Sequence, residues 1–170
     1  MAAKKNPRNL ADHVNAVKKG QRVFEDAFQG VSRMILDAGI RKITVKGKTT
    51  YRFDLFSQGK KHLVGMYDEI NSFVSFVKDA SEGGSSREMA FVLVGEPGNG
   101  KTFFVEYLCA RYREFLTIPE NRKYTFKFIN LDQIGGYGRI DSIESQTYED
   151  PMILAMNIEE TREQSMESLA

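Results

Sequence analysis

The chain has 170 residues, 41% hydrophobic, 11% aromatic and 28% charged, a globular composition with length for one domain, or one domain and an extension. No apolar run approaches a membrane span, residues 1–8 lack the apolar core of a secretory signal, and one cysteine with two histidines excludes an internal disulfide and argues against a dedicated zinc or haem site. The formal net charge of +1 conceals an asymmetry, because residues 1–61 carry 14 Lys+Arg against 5 Asp+Glu and residues 62–170 carry 10 against 18. A basic first third suits nucleic acid or an acidic partner, and most often such a run is a solvated or internally paired face.

In chain order, residues 10 to about 38 place Leu10, Val14 and Val17, then Phe24, Phe28, Val31 and Ile35, at three- and four-residue spacings. This predicts helix with a break near Gly20 and a stop at Gly39. Lys42-Ile43-Thr44-Val45 and Thr50-Tyr51-Arg52-Phe53 flank Gly47 as a small hairpin, too small to be stable alone. Residues 62 to about 80 carry the strongest helical stripe, Leu63, Met66, Tyr67, Ile70, Phe73, Val74 and Val77, which reads as a core face. Residues 81–86 are loop by composition. Met89-Ala90-Phe91-Val92-Leu93-Val94 is a continuous apolar run, predicting a strand covered on both faces. Residues 102 to about 115 predict a helix with Phe103, Phe104, Tyr107, Leu108 and Cys109 buried, and residues 124–130 a second strand. Strand, helix and strand in that order imply a right-handed crossover in a parallel sheet. Beyond Gly135-Gly136-Tyr137-Gly138 the chain turns polar, and its last 31 residues hold 8 acidic side chains and a single arginine, a poor composition for an ordered end. His13 and His62 read as surface residues.

Gly95-Glu96-Pro97-Gly98-Asn99-Gly100-Lys101-Thr102 fits G-x-x-x-x-G-K-[ST] at every defined position. Glycines let the backbone turn so that successive N–H groups converge on phosphate oxygens. The helix that begins within the motif adds its free amides and positive dipole end. Lys101 is then placed for the β- and γ-phosphates and the Thr102 hydroxyl for Mg²⁺. A glycine-rich turn with an ordinary surface lysine is the bland alternative, and the match at every constrained position disfavours it. Asp132, after the second strand, is the one candidate for a metal-polarising acid, although turn chemistry is the commoner reason for aspartate there. Asp141, Glu144, Glu149 and Asp150 read as solvated loop.

Followed by Phe103-Phe104-Val105-Glu106-Tyr107-Leu108, the loop resembles the phosphate-binding loop and first helix of AAA+ ATPases. Leu63-Val64-Gly65-Met66-Tyr67-Asp68-Glu69-Ile70, 30 residues upstream, resembles the adenine-side helix of that superfamily. More narrowly, this helix running into Phe76-Val77-Lys78-Asp79-Ala80, with Ser145-Gln146-Thr147-Tyr148-Glu149-Asp150-Pro151 downstream, resembles the bacterial PrkA serine protein kinase family over about residues 50 to 155. The resemblance implies an α/β fold of the P-loop NTPase type, a parallel sheet flanked by helices. Residues 1–61 would form a basic helical and hairpin extension and residues 62–170 the N-terminal part of the ATPase domain. It implies ATP and Mg²⁺ as ligands, nucleotide contacts from Gly95, Pro97, Gly98, Asn99, Gly100, Lys101, Thr102 and Phe103, adenine beside Gly65 and Met66, and the metal on Thr102. In the intact family protein it implies a cytoplasmic location, a protein substrate and nucleotide-driven oligomer assembly, with no membrane.

The chain stops before the acidic second motif, sensor residues, arginine finger and helical lid of AAA+ proteins, and carries no H-R-D or D-F-G kinase signature. It therefore reads as an N-terminal fragment or truncated frame, and no catalytic residue is assigned. Two other functions fit the same loop. One is a nucleic-acid-processing ATPase, such as a helicase loader, gripping phosphate backbone with the basic third. The other is a non-catalytic interaction fragment that binds nucleotide to order itself.

Overall fold

Helix α1 (Leu10–Lys18) starts where the Asn9 side chain accepts the Asp12 N–H at 2.8 Å, an N-cap that satisfies one orphan donor of the first turn. The helical pattern then breaks over residues 19–26, around Gly20, and resumes as α2 (Ala27–Asp37) under a reciprocal capping box of Asp26 and Gln29. The computed structural model describes residues 9–57, 62–63, 65–136 and 138–167, the last seven by backbone alone. Residues 1–8 and 58–61 of the basic third, Val64 and Tyr137 lie outside the described residues.

The expected hairpin is β1 (Ile40–Val45) and β2 (Lys48–Phe53), antiparallel from Ile40 opposite Phe53 to Val45 opposite Lys48. Lys46 and Gly47 form a two-residue turn with φ of 49° and 77°, the sense that matches strand twist. A 3₁₀ turn, Asp54–Ser57, follows. Helix α3 (Tyr67–Ser81) buries Ile70, Val74, Val77 and Ala80, one stripe at helical spacing. Helix α4 (Lys101–Phe115) buries Phe104 and Tyr107.

The chain divides into two compact units, Glu25–Thr117 and the residues on either side of it, up to Phe24 and from Ile118. In the first unit, Met34 and Ile35 of α2, Phe53, Leu55 and Phe56 after the hairpin, Ile70 and Val74 of α3, and Phe104 and Tyr107 of α4 form one core cluster. The hairpin thereby gains the support that it lacks alone. The second unit holds α1, β3 (Lys127–Ile129), β4 (Ser142–Glu144) and α5 (Pro151–Glu167). The polar tail is thus helical over α5, started by Asp150, whose carboxylate accepts the Met152 N–H at 2.8 Å.

The α/β expectation is overturned. Among the described residues there are two separate two-stranded sheets, both antiparallel, and no parallel sheet of the P-loop NTPase kind. Two interactions decide this. Strand β3 takes β4 as its neighbour, Phe128 opposite Ile143, with Lys127 and Glu144 paired at 3.6 Å across the register. Residues 91–94 run without a strand partner among the described residues. Their apolar run is covered on one face only. Phe91 packs on Phe73 and Phe76, with ring centroids 5.3 Å apart in both cases, and Leu93 reaches the core, while Val92 and Val94 are 70% and 89% exposed. With no second strand beside it, the segment forms no crossover.

Cys109, expected in the core, is exposed. At about 100° per residue it lies roughly 200° around α4 from Tyr107, on the face away from the core. No helix among the described residues is long and apolar enough to cross a membrane.

Candidate functional site

Residues 95–100 fold as an open turn between the extended segment and α4. Gly98 and Gly100 stand at φ +89° and +73°, left-handed conformations that cost other residues about 1–2 kcal/mol. The Lys101 ammonium donates to the Gly95 carbonyl at 2.6 Å and the Glu96 carbonyl at 2.7 Å, and the Asn99 N–H donates to Glu96 O at 3.3 Å. The lysine thus bridges the mouth of its own loop. Helix α4 opens with Gly100 as N-cap and no side-chain cap, and Phe104 N–H to Gly100 O, 2.8 Å, starts its ladder. The amides of Lys101, Thr102 and Phe103 precede that ladder, at the positive end of a 15-residue helix.

Thr102 is exposed in the first turn and Phe103 is half-buried against the core. Mg²⁺ keeps several waters and takes one or two carboxylates beside substrate phosphates; at this loop the exposed Thr102 hydroxyl is the oxygen that the motif would offer it. Asp132 sits exposed in the 3₁₀ turn Leu131–Gln133 of the other unit.

Gly65 and Met66 are not on a helix, as the resemblance implies, but in the turn that leads into α3. Gly65 at φ +78° excludes it from the helix, whose first residue is Tyr67. Both line a cavity of about 200 Å³. Tyr51, Phe53 and Phe56 form aromatic wall, and Arg52 and Ser57 supply polar groups. This is below the roughly 300 Å³ at the small end of drug-sized sites. Arg52 Nε donates to Ser57 Oγ at 3.1 Å and stands 3.8 Å from Asp54 Oδ1. Buried Asp54 accepts Arg41 Nε at 2.8 Å through its other oxygen. Arg33 likewise pairs with Glu25 at 2.7 Å, so several arginines of the basic third have acidic partners within the chain.

The cavity and the loop belong to the same unit, and α4, which follows the loop, packs behind the cavity wall. Phe56 lines the cavity and stacks on Phe104 of α4, with centroids 5.8 Å apart and planes 11° from parallel. The Tyr107 hydroxyl donates to Leu55 O at 2.7 Å, and Leu63 N–H donates to Phe56 O at 2.9 Å.

A polar cluster in the other unit is not legible in the sequence. His13, expected at the surface, is 5% exposed. Arg22 Nη1 lies 2.6 Å from its Nδ1 and Asp150 Oδ1 lies 3.1 Å from its Nε2, while Arg22 stacks over Tyr124 at 4.0 Å. Guanidinium only donates, so Nδ1 accepts from Arg22 and Nε2–H donates to Asp150. Every group is engaged, so the cluster is a structural brace. Its partners are 9 and 137 residues away in sequence, beyond any local signal.

No family model matches the chain, and no curated protein and no solved structure shows significant similarity to it.

Proposed function

We propose that the chain binds ATP with Mg²⁺, its phosphates in the loop of residues 95–102 and its adenine in the cavity beside Gly65 and Met66, as the nucleotide-binding module of a PrkA-like serine protein kinase. The observation that carries this reading is the loop's own backbone geometry. Two left-handed glycines shape the turn ahead of an uncapped helix, and the Lys101 ammonium lies across it on Gly95 O and Glu96 O. Main-chain amides, a helix dipole and an ammonium group converge there, which is the chemistry that recognises a polyphosphate. The cavity supports a base as the second contact, since Tyr51, 51% exposed, offers stacking area at its rim and Arg52 a hydrogen-bond donor. Phosphoryl transfer is not assigned to these residues.

The test is titration calorimetry with ATP and Mg²⁺ on the intact chain and on Lys101→Ala. Loss of the charge-assisted contact is expected to weaken binding by about tenfold or more. Unchanged affinity in the variant, or no heat with the wild type, would overturn the assignment.

A further inference from the structure

The 3₁₀ turn Asp54–Ser57 has two neighbours at once. Toward the cavity, Phe56 forms part of the wall, and its carbonyl holds Leu63, another wall residue, by the 2.9 Å bond from Leu63 N–H. Toward the loop, Phe56 stacks on Phe104, and the adjacent Leu55 carbonyl accepts the buried Tyr107 hydroxyl. Phe104 in turn closes the first turn of α4 on Gly100, the last glycine of the loop, and Lys101 is the residue after that glycine. Phe56 is 2% exposed and Phe104 3%. Groups packed this closely shift together, because the interior has little free volume to absorb a displacement.

We infer that this turn couples the two halves of the site, so that a base in the cavity and phosphates in the loop bind cooperatively, with Phe56 and Tyr107 as positioning residues. The inference rests on the reading that the cavity takes the base and the loop the phosphates. A ring entering the cavity packs against the wall that Tyr51 and Ser57 present and Phe56 backs, and so steadies the turn. The steadied turn fixes Phe104 and Tyr107, and with them the first turn of α4, whose amides meet the phosphates. Ordering that one ligand has already imposed need not be imposed again by the second.

Coupling between separate ligands is measurable without any substitution. Tripolyphosphate with Mg²⁺ is titrated into the intact chain with and without saturating adenosine, and adenosine is titrated with and without tripolyphosphate. Adenosine is expected to tighten tripolyphosphate binding about fivefold or more, and linkage requires the same factor in the reverse titration. Tyr107→Phe removes the hydroxyl's bond to Leu55, and with it the hydroxyl's hydrogen bond with Arg111, while keeping the ring. It is expected to bring the factor toward one, leaving the affinity for each ligand alone close to that of the wild type, a pattern that general destabilisation does not produce. Should that variant fold poorly, Phe104→Leu, which keeps apolar bulk and loses the stack, serves in its place. If both ligands bind the wild type independently, or the variant retains full coupling, the inference falls and the nucleotide site stands. If neither adenosine nor tripolyphosphate binds, the assignment of the site falls, and the coupling with it.

Discussion

Gly100 and His13 show two ways in which one residue can matter. An added Cβ at Gly100 would meet nothing within 4 Å, yet its φ is +73°. The cost of Gly100→Ala is therefore backbone strain rather than a clash. About 1–2 kcal/mol is expected, read as a lower melting temperature together with weaker ATP binding, since the strained residue opens both the loop and the helix. His13 matters through its partners. His13→Ala leaves Arg22 and Asp150 without the ring that joins them, and a loss of about 1–3 kcal/mol is expected, visible as faster amide exchange in α1 and at the start of α5. Cys109, being exposed, is expected to react fully with an aromatic disulfide reagent in the native protein.

At the scale of elements, the end of α3 carries a pH-dependent cap. The Ser86 hydroxyl and then the Ser86 amide hold the Asp79 carboxyl below its ordinary value of 3.8, with the amide 2.9 Å from Oδ2. A depressed carboxylate stabilises the fold in full above its unfolded value and loses that contribution as pH falls through the folded one. The protection factor of the Ser86 amide, its exchange rate relative to the intrinsic rate at the same pH, is accordingly expected to be high at neutral pH and to fall on acidification below about pH 4, with Asp79→Ala unprotected across the range. Asp79 is fully exposed, so the effect is confined to the turn that it caps. The helices and the hairpin were legible because their signals are local, such as the apolar stripe of α3 and the Lys46-Gly47 turn. Residues 89–94 were not. Their apolar run fits a strand buried on both faces, but only Phe91 and Leu93 find cover.

For the whole molecule, the core cluster, the cavity and the loop all fall within Glu25–Thr117. That segment alone is expected to unfold as one cooperative transition and to bind ATP and Mg²⁺ with affinity comparable to that of the full chain. Loss of cooperative unfolding in the excised segment would show that the core depends on the remaining residues.

The sequence by itself determined the phosphate-loop motif, the main helices and the hairpin, because each is specified by side chains within a few positions of one another. Only the tertiary structure decided that β3 pairs with β4 and leaves residues 91–94 without a strand partner. It also decided that His13 is buried and Cys109 is not, and that Gly65 and Met66 border a cavity. Strand pairing and burial are settled by competition among distant partners for the same hydrogen bonds and the same apolar surface, and no local spacing records which partner wins.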